Sequence, residues 1–299
     1  MVGHPRARLA AARERLRAEA LARRLRTARL PPLGHRGREG GMPETIVSLT
    51  SFGTRVSNVD LAIRSILANT TPPDRVILWL DGGTARELPE RLEELEGCGV
   101  EIRRGVEDLR GHKKYLFAMR ENPRATIITI DDDAMYPPDT VASLLSAAAA
   151  HPGCVAARRV HWMRWDAGRL LPYAEWAWER RDSEGPSMAL FPTGVGGVLY
   201  PAGSLGACAL DEGGIRECAL AADDVWLKVN EVLAGTPVVW APCEQVHPCT
   251  IPGTQREALN ASNVSQGRND AALRGTLRHF GVDEAAFVRM LAAGGATEG

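Results

Sequence analysis

The 299-residue chain is predicted to fold as an α/β protein around a Rossmann-like, mainly parallel central sheet flanked by helices. Its 44% apolar and 24% charged residues are the proportions of an ordinary globular protein. Short β-branched runs alternate with helical patterns between residues 45 and 150. Polar clusters follow several of these runs directly, which is where ligand-binding groups lie in parallel sheets.

The alternation can be followed element by element. The predicted strands are 45–50, 75–80, 100–103 and 125–130, and the predicted helices are 59–68, 88–95, 113–120 and 140–150. The run ATIITI at 125–130 is the clearest strand, because it is short, continuous and β-branched. A regular strand–helix order predicts parallel strands with helices on both faces of the sheet.

The net charge of −1 conceals a strong asymmetry along the chain. Residues 1–41 contain eleven arginines and three glutamates, a net charge of +8, which leaves −9 for the other 258 residues. We therefore predict a basic helical extension and linker at 1–41 and one domain at 42–299. The extension is either a solvated helix or a peripheral arm that contacts anionic lipid or a membrane-bound partner.

The sequence also bears on location and cysteine chemistry. No run approaches the eighteen apolar residues of a membrane span, and the N-terminus has no apolar signal region. We expect a cytoplasmic protein, with peripheral attachment to the inner face of the membrane as the alternative. The six cysteines are scattered without a CxxC pair, which favours buried, reduced thiols over a disulfide or zinc site. The basic arm lacks interleaved aromatic residues, so no nucleic-acid partner is expected.

Polar side chains follow three of the predicted strands. They are Thr50, Ser51 and Arg55 after the first, Asp81 after the second, and Asp131, Asp132 and Asp133 after the fourth. Adjacent carboxylates repel one another unless a cation neutralises them, and Mg²⁺ prefers carboxylates together with phosphate oxygens. The alternative is an acidic helix cap, but Asp139 could cap the next helix without the triplet. The triplet therefore predicts a metal site.

Two further segments have compositions that suit a ligand. Residues 111–115 open a helix with His112, Lys113 and Lys114, and a helix N-terminus with lysines favours phosphate, although lysine pairs are usually solvated. The run 191–201 contains Gly194, Gly196 and Gly197 within a strand-like pattern, which indicates a bulge or a close approach of backbone to another group.

Asp223 and Asp224 open a helix just after the glycine-rich run. Their charges complement the helix dipole, but this position favours a catalytic role. Four of the seven tryptophans lie within seventeen residues, and indole rings also stack on sugars, so this segment is either a small subcore or an acceptor-binding lobe. These tryptophans are Trp162, Trp165, Trp176 and Trp178.

Together these motifs resemble GT-A-fold, family-2-like glycosyltransferases, and more narrowly the bacterial enzymes of capsule and surface polysaccharide synthesis. The resemblance covers about residues 44–250 and rests on His112 to Tyr115, the triplet followed by 136–138, the run 191–197 and the segment 222–227. It implies a nucleotide-sugar half at about 44–135, an acceptor half at about 136–250 and a C-terminal helical segment at 251–299.

The resemblance also implies roles for individual residues. It places Mn²⁺ or Mg²⁺ on Asp131 and Asp133, with His247 as either a third ligand or a core or loop histidine. It makes Asp224 the base of an inverting reaction and leaves open whether Asp223 takes part of that role. It places a nucleotide-sugar donor, with UDP-sugars favoured, and a glycan or lipid-linked glycan acceptor in one site. The donor-side residues are Thr50, Ser51, Arg55, Asp81, His112, Lys113, Lys114 and Asp132, and the acceptor-side residues are Gly196, Gly197, Trp162 and Trp176.

Two other functions remain open from the sequence. A nucleotidyltransferase would use a similar acidic metal site, but the segment 50–55 has one glycine and one arginine instead of a glycine- and basic-rich loop. A non-catalytic carbohydrate-binding protein would need the tryptophans and not the aspartates. Turnover of a donor sugar in the presence of a metal discriminates among the three.

Overall fold

The computed structural model describes residues 5–30, 32–33, 43–84, 88–183, 185–254 and 267–294. The helices are α1 Pro5–Thr27, α2 Val59–Leu67, α3 Glu90–Gly97, α4 Lys113–Glu121, α5 Thr140–Ala150, α6 Asp223–Leu233, α7 Arg268–His279 and α8 Glu284–Ala293, beside shorter helical turns. The strands are β1 Thr45–Thr50, β2 Arg75–Asp81, β3 Glu101–Val106, β4 Thr126–Thr129, β5 Ala134–Met135, β6 Val155–Ala157, β7 Val160–Trp162, β8 Trp165–Asp166, β9 Arg169–Leu170, β10 Leu190–Pro192, β11 Val198–Tyr200, β12 Val238–Trp240 and β13 Cys249–Thr250.

Seven strands form the central sheet in the order β12-β6-β11-β4-β1-β2-β3. The neighbours β4, β1, β2 and β3 run parallel, as do β12 and β6. Strand β11 lies between these two groups and is antiparallel to both of its neighbours. The α/β class and the mainly parallel sheet are therefore confirmed, and the carboxyl ends of β1 and β4 lie side by side.

Each predicted strand and helix between residues 45 and 150 is present, with ends shifted by three residues or fewer. The sequence pattern worked for β1, β2 and β4 because each is a short apolar run that is buried on both faces, as in TIVSLT of β1, whereas β3 is a partly exposed edge strand. The segment that follows α5 forms two short strands, β6 and β7, with a break at Arg158 and Arg159. Asp139 was expected to cap α5, but its carboxylate forms an ion pair with Arg158 and accepts no capping hydrogen bond.

Helix α1 lies against the domain through its C-terminal half. Ala18, Ala22 and Leu25 are buried on one stripe of the helix and belong to the main apolar core, where α1 contacts α2. Arg26 donates to Asn58 at 2.8 Å and lies 3.5 Å from Asp60. The described part of the basic extension is thus attached to the domain surface and is not fully solvated.

The cysteines are all free, but the expectation that they are buried holds only for Cys154, since Cys208 is exposed and the others are intermediate. Within the described ranges, no helix combines the length and the apolar character that crossing a bilayer requires. The predicted linker at 31–41 lies almost wholly outside the described residues.

Candidate active site

A cavity of about 440 Å³ opens beyond the carboxyl ends of β1 and β4 and beside the N-terminus of α6. Parallel sheets bind their ligands at this edge. The predicted residues that line the cavity are Thr50, Arg55, Lys114, Asp131, Asp132, Asp133, Asp223 and Asp224. Both acidic motifs of the sequence therefore reach one site.

Asp132 is the buried member of the triplet. Its carboxylate accepts hydrogen bonds from Ser51 Oγ at 2.6 Å and from Arg55 Nη1 at 2.8 Å. Arg55 also reaches Asp133, with 3.2 Å between Nη2 and Oδ2. Ser51 and Arg55 thus hold the loop after β4 onto the end of β1, and Asp132 has a structural partner on each oxygen.

Lys114 joins the two acidic motifs. Its Nζ lies 2.8 Å from Asp131 Oδ1 and 2.9 Å from Asp223 Oδ2, and its side chain is only 6% exposed. Burial opposes the charged form of this lysine, but the carboxylates of Asp131 and Asp223 raise its pKa well above the usual value. Lys114 is therefore a permanent cation that fixes the triplet beside α6.

Asp224 differs from its neighbours in having no cation of its own among the described contacts. Its carboxylate accepts a hydrogen bond from the backbone N–H of Gly194, at 3.2 and 3.1 Å from its two oxygens. Burial and the charge of Asp223 raise the pKa of Asp224 to about 7, whereas Lys114 helps to keep the pKa of Asp223 below its usual value despite burial. One carboxylate of the pair is thus poised to exchange a proton near neutral pH.

Two glycines allow these groups to converge. A Cβ atom at Gly194 would lie 3.0 Å from Lys114 Nζ, 3.2 Å from Asp224 Oδ1 and 3.3 Å from Asp131 Oδ1. A Cβ atom at Gly111 would lie 2.9 Å from the carboxyl group of Asp223. The predicted close approach of the glycine-rich run is therefore present, and Gly194 is the glycine at the centre of the site.

The remaining donor-side residues divide into those beside the cavity and those behind it. Thr50 lines the cavity and donates its hydroxyl to the Trp79 carbonyl. Lys113 Nζ binds Asp81 at 2.7 Å and Asp108 at 3.1 Å. Asp108 lines the cavity, whereas Lys113 and Asp81 lie behind it. The lysine and Asp81 therefore shape one wall of the cavity from behind.

His112 is fully buried and does not line the cavity, in contrast to the predicted donor contact. Its Nδ1 lies 2.8 Å from Tyr115 Oη and its Nε2 lies 2.8 Å from the Ala219 carbonyl. Burial lowers the pKa of the imidazole, so the ring is neutral near pH 7. The histidine tethers the start of α4 to the turn that precedes α6.

The structure does not bring His247 to the triplet. Its side chain is 59% exposed and its Nε2 lies 2.9 Å from Glu179. Trp162 and Trp176 are buried in the apolar core and do not line the cavity, because the segment after β7 folds back on itself as a subcore. Gly196 approaches the backbone of Arg159, Gly197 has a left-handed φ of 89° that favours glycine, and neither residue lines the cavity.

Sequence reasoning missed several residues that line the cavity. Arg110 lines it with a left-handed φ of 49°, a conformation that costs energy in a residue other than glycine. Arg159 and Tyr173 also line the cavity, and Arg159 is held by Glu179 and by Thr193 Oγ1. The motif 111–115 pointed to the neighbourhood of Arg110, but no local pattern distinguished this arginine from the many others.

The charge of the site fits a divalent cation. Two cations, Arg55 and Lys114, form ion pairs with the triplet and with Asp223. The triplet, Asp223 and Asp224 together supply five carboxylates, which outnumber these two cations. Burial, and then the charge of Asp131, raise the pKa of Asp133 to about 6. The ion pairs engage one oxygen of Asp131 and one of Asp133, so these two carboxylates have the chemistry and the excess charge that Mg²⁺ or Mn²⁺ binding requires.

Residues 54–187 match the family model described as glycosyl transferase family 2. This range contains the triplet and Lys114 but ends before Gly194 and the aspartate pair. A comparison with curated protein sequences gives no match. The chain is also similar to solved structures, at low identity.

One such structure is a mannosyltransferase from Pyrobaculum calidifontis in complex with GDP-Man and Mn²⁺. It has 14% identity and a TM-score of 0.48, and the match covers 95% of this chain and 84% of that one. Another is a 4-diphosphocytidyl-2C-methyl-D-erythritol synthase, with 11% identity, a TM-score of 0.45, and coverage of 72% and 96%. At these values neither structure assigns a substrate to this chain.

Proposed function

We propose that the chain is a family-2-like glycosyltransferase, which transfers a sugar from a nucleotide-diphosphate sugar to a hydroxyl group by one direct displacement. The observation that carries this proposal is the pairing of two acidic motifs in one cavity. Arg55 and Lys114 offset only part of the charge of the triplet, while the pKa of Asp224 is raised to about 7. Such a displacement needs one group of residues that binds the charged diphosphate and another that accepts the proton of the attacking hydroxyl group.

At the donor end, Asp131 and Asp133 would hold Mn²⁺ or Mg²⁺ together with the donor diphosphate. When bound, the cation would neutralise charge on the departing nucleotide. Lys114 fixes Asp131 in place, and Arg110 lies on the same cavity as a further cation for the phosphates. Asp132, which Ser51 and Arg55 already hold, keeps the loop in position.

At the acceptor end, Asp224 would take the proton of the attacking hydroxyl group. The hydroxyl oxygen forms the new bond to the anomeric carbon as the bond to the nucleotide oxygen breaks, which inverts the anomeric configuration. Asp223 is less suited to this role, because Lys114 holds it as a permanent carboxylate. The acceptor would be a glycan or a lipid-linked glycan, with Tyr173 and Arg159 on its side of the cavity.

The test is a donor panel. The purified chain is incubated with UDP-sugars and GDP-sugars and Mn²⁺, and the release of nucleoside diphosphate is measured with and without EDTA. We expect release from one donor class, with UDP-sugars first among the candidates, and its loss in EDTA. Pyrophosphate formation from a nucleoside triphosphate and a sugar phosphate would instead identify a nucleotidyltransferase.

Helix α1 supports a second part of the proposal, contact with an anionic membrane surface. At 100° per residue, positions 13, 16, 23 and 24 lie opposite the buried stripe of Ala18, Ala22 and Leu25. This outer face combines exposed arginines with Leu16, whose exposed fraction is 62%. Arginines around an exposed apolar side chain favour the interface of an anionic bilayer, where a lipid-linked acceptor would be found.

Co-sedimentation with vesicles checks this contact. We expect binding to vesicles that contain phosphatidylglycerol, no binding to pure phosphatidylcholine, and a decline as salt is raised. Replacing Arg13, Arg23 and Arg24 by Gln should abolish the binding without lowering Tm, since these side chains are exposed. Equal binding by the triple variant would show that α1 is not the contact.

A further inference from the structure

A second cavity, of about 460 Å³, lies between α7 and the π-helical turn Ile215–Ala219. Glu217, Cys218 and His279 line it, and one possible ligand atom from each lies within 4.8 Å of the other two. The glycosyl transfer proposed above uses none of these residues. A carboxylate, a thiol and an imidazole thus line the same cavity, and these three groups are all metal ligands in proteins.

Helix α7 and the segment before α6 are in contact around this cavity. A Cβ atom at Gly275 would lie 3.5 Å from Cys218 Cβ, so α7 approaches the π-helical turn closely at this point. His279 follows one helical turn later and lies so near Gly214 that a Cβ there would be 2.5 Å from its Nε2. A π-helical turn widens the backbone spiral, and such turns are frequent at functional sites.

The histidine is already oriented. Asp211 Oδ2 lies 2.8 Å from His279 Nε2, and the same carboxylate accepts hydrogen bonds from the backbone N–H groups of Gly213 and Gly214. A carboxylate that holds one imidazole nitrogen and leaves the other for a metal is the usual arrangement around histidine ligands. With Nε2 engaged in this way, Nδ1 is the nitrogen available to a metal.

We propose that Glu217, Cys218 and His279 form a Zn²⁺ site that is distinct from the acidic triplet. Thiolate sulfur, imidazole nitrogen and carboxylate oxygen are the three ligand types of protein zinc, and three of them leave one position for water. On binding, the Cys218 thiol loses its proton to solvent and the thiolate binds the ion. The negative charges of this thiolate and Glu217 offset Arg268 and Arg278, which line the same cavity.

The position of the site gives it a role in the architecture. The cavity shares Ala221 and Ala222 with the main cavity, and these residues lead directly into Asp223. Asn269, near the start of α7, also lines the main cavity. A Zn²⁺ ion here would tie α7 to the turn before α6 and so stabilise the acceptor side of the main cavity.

Co²⁺ binding tests the site directly, because a thiolate bound to Co²⁺ gives a charge-transfer absorption that carboxylates do not produce. Metal-free protein is titrated with CoCl₂ in reducing buffer. We expect this absorption to saturate near one equivalent in the wild type and in Cys208→Ser, where the exposed Cys208 is the matched control. The absorption should be absent in Cys218→Ser. In Glu217→Gln it should appear, but with an affinity for Co²⁺ that is at least tenfold weaker than in the wild type.

A double variant, Asp131→Asn with Asp133→Asn, should keep the absorption, which separates this site from the catalytic one. Zn²⁺ should displace Co²⁺ and raise Tm in the wild type but not in Cys218→Ser. An absorption that persists in Cys218→Ser, is lost in the double variant, or is absent from the wild type would overturn the proposal. These readouts need no donor and no acceptor, so they are independent of the transferase activity.

Discussion

Two acidic motifs meet in the main cavity, and they are built differently. In the triplet, each carboxylate has a described cation: Asp131 has Lys114, while Asp132 and Asp133 share Arg55. In the pair at the start of α6, Lys114 binds Asp223, and Asp224 receives a backbone N–H group. Within this pair, Asp223 has a lowered pKa beside Lys114 and holds its charge, whereas Asp224, which has no described cation of its own, has a pKa of about 7 and can move a proton.

Asp224→Asn removes the proposed proton acceptor and should have the largest effect on catalysis. Turnover should fall by a factor of about 10² or more, since general base catalysis contributes at this level. The thermal shift with donor and Mn²⁺ should persist, because the proposed mechanism gives Asp224 no part in holding the cation or the diphosphate. The matched control is Asp182→Asn, an exposed aspartate paired with Arg180, which should keep full turnover. Near-normal turnover in Asp224→Asn would remove Asp224 from the role of base.

The two aspartates of the pair should have opposite effects on stability, measured as Tm in EDTA at pH 8. Asp223→Asn leaves Lys114 with one carboxylate fewer and should lower the stability by roughly 1 kcal/mol or more, since its pKa is lowered in the folded state. At pH 8 the Asp224 carboxylate is charged although its raised pKa shows that the folded protein disfavours this charge. Asp224→Asn removes the charge and should raise the stability by a similar amount.

The pH dependence checks the sign of these effects. The unfavourable contribution of Asp224 is fully present above pH 7 and declines as the carboxyl group gains its proton, so the Tm gain of Asp224→Asn should shrink between pH 8 and pH 5. The loss in Asp223→Asn should remain over this range, because a depressed pKa keeps Asp223 charged throughout. Parallel shifts of both variants with pH would contradict the contrast between the two aspartates.

Gly194→Ala should disturb both motifs at once. The new Cβ would press on Lys114 Nζ at 3.0 Å and on Asp224 Oδ1 at 3.2 Å, and displacements of this kind lower turnover by about tenfold. Gly206→Ala is the control, since a Cβ at Gly206 meets nothing within 4 Å. Steady-state turnover and Tm should be measured for both. If turnover survives in Gly194→Ala, the close approach at this glycine does not matter for catalysis.

Much of the fold and part of the site could be predicted from the sequence, for physical reasons. Strands β1 and β2 are short β-branched runs buried on both faces, so they could be predicted without tertiary information. The triplet was visible because it follows an apolar strand without any break. Asp223 and Asp224 were visible because they open a helix that follows a glycine-rich run.

Other features depend on tertiary contacts that no local pattern encodes. The buried stripe of α1 uses Ala18 and Ala22 beside Leu25, and a search for leucines alone finds no stripe there. Trp162 and Trp176 were indistinguishable from surface tryptophans in the sequence, yet the fold uses them as core. The histidine expected near the metal, His247, instead contacts Glu179, since only the folded loop decides which side chains are neighbours.

The smallest effect is expected at Arg110, which tests whether donor binding and proton transfer are separable. Arg110→Gln removes a cavity cation and should weaken nucleotide binding with Mn²⁺ by about three- to tenfold, with a smaller salt dependence than in the wild type.

Arg110→Gly should weaken binding equally but not lower Tm, because glycine relieves the left-handed φ of 49°. The exposed Arg91→Gln is the control. Both Arg110 variants should keep the acid limb of the pH profile of turnover unchanged, because the proposed mechanism assigns that limb to Asp224. A shifted limb would show that the two sides act as one charge network.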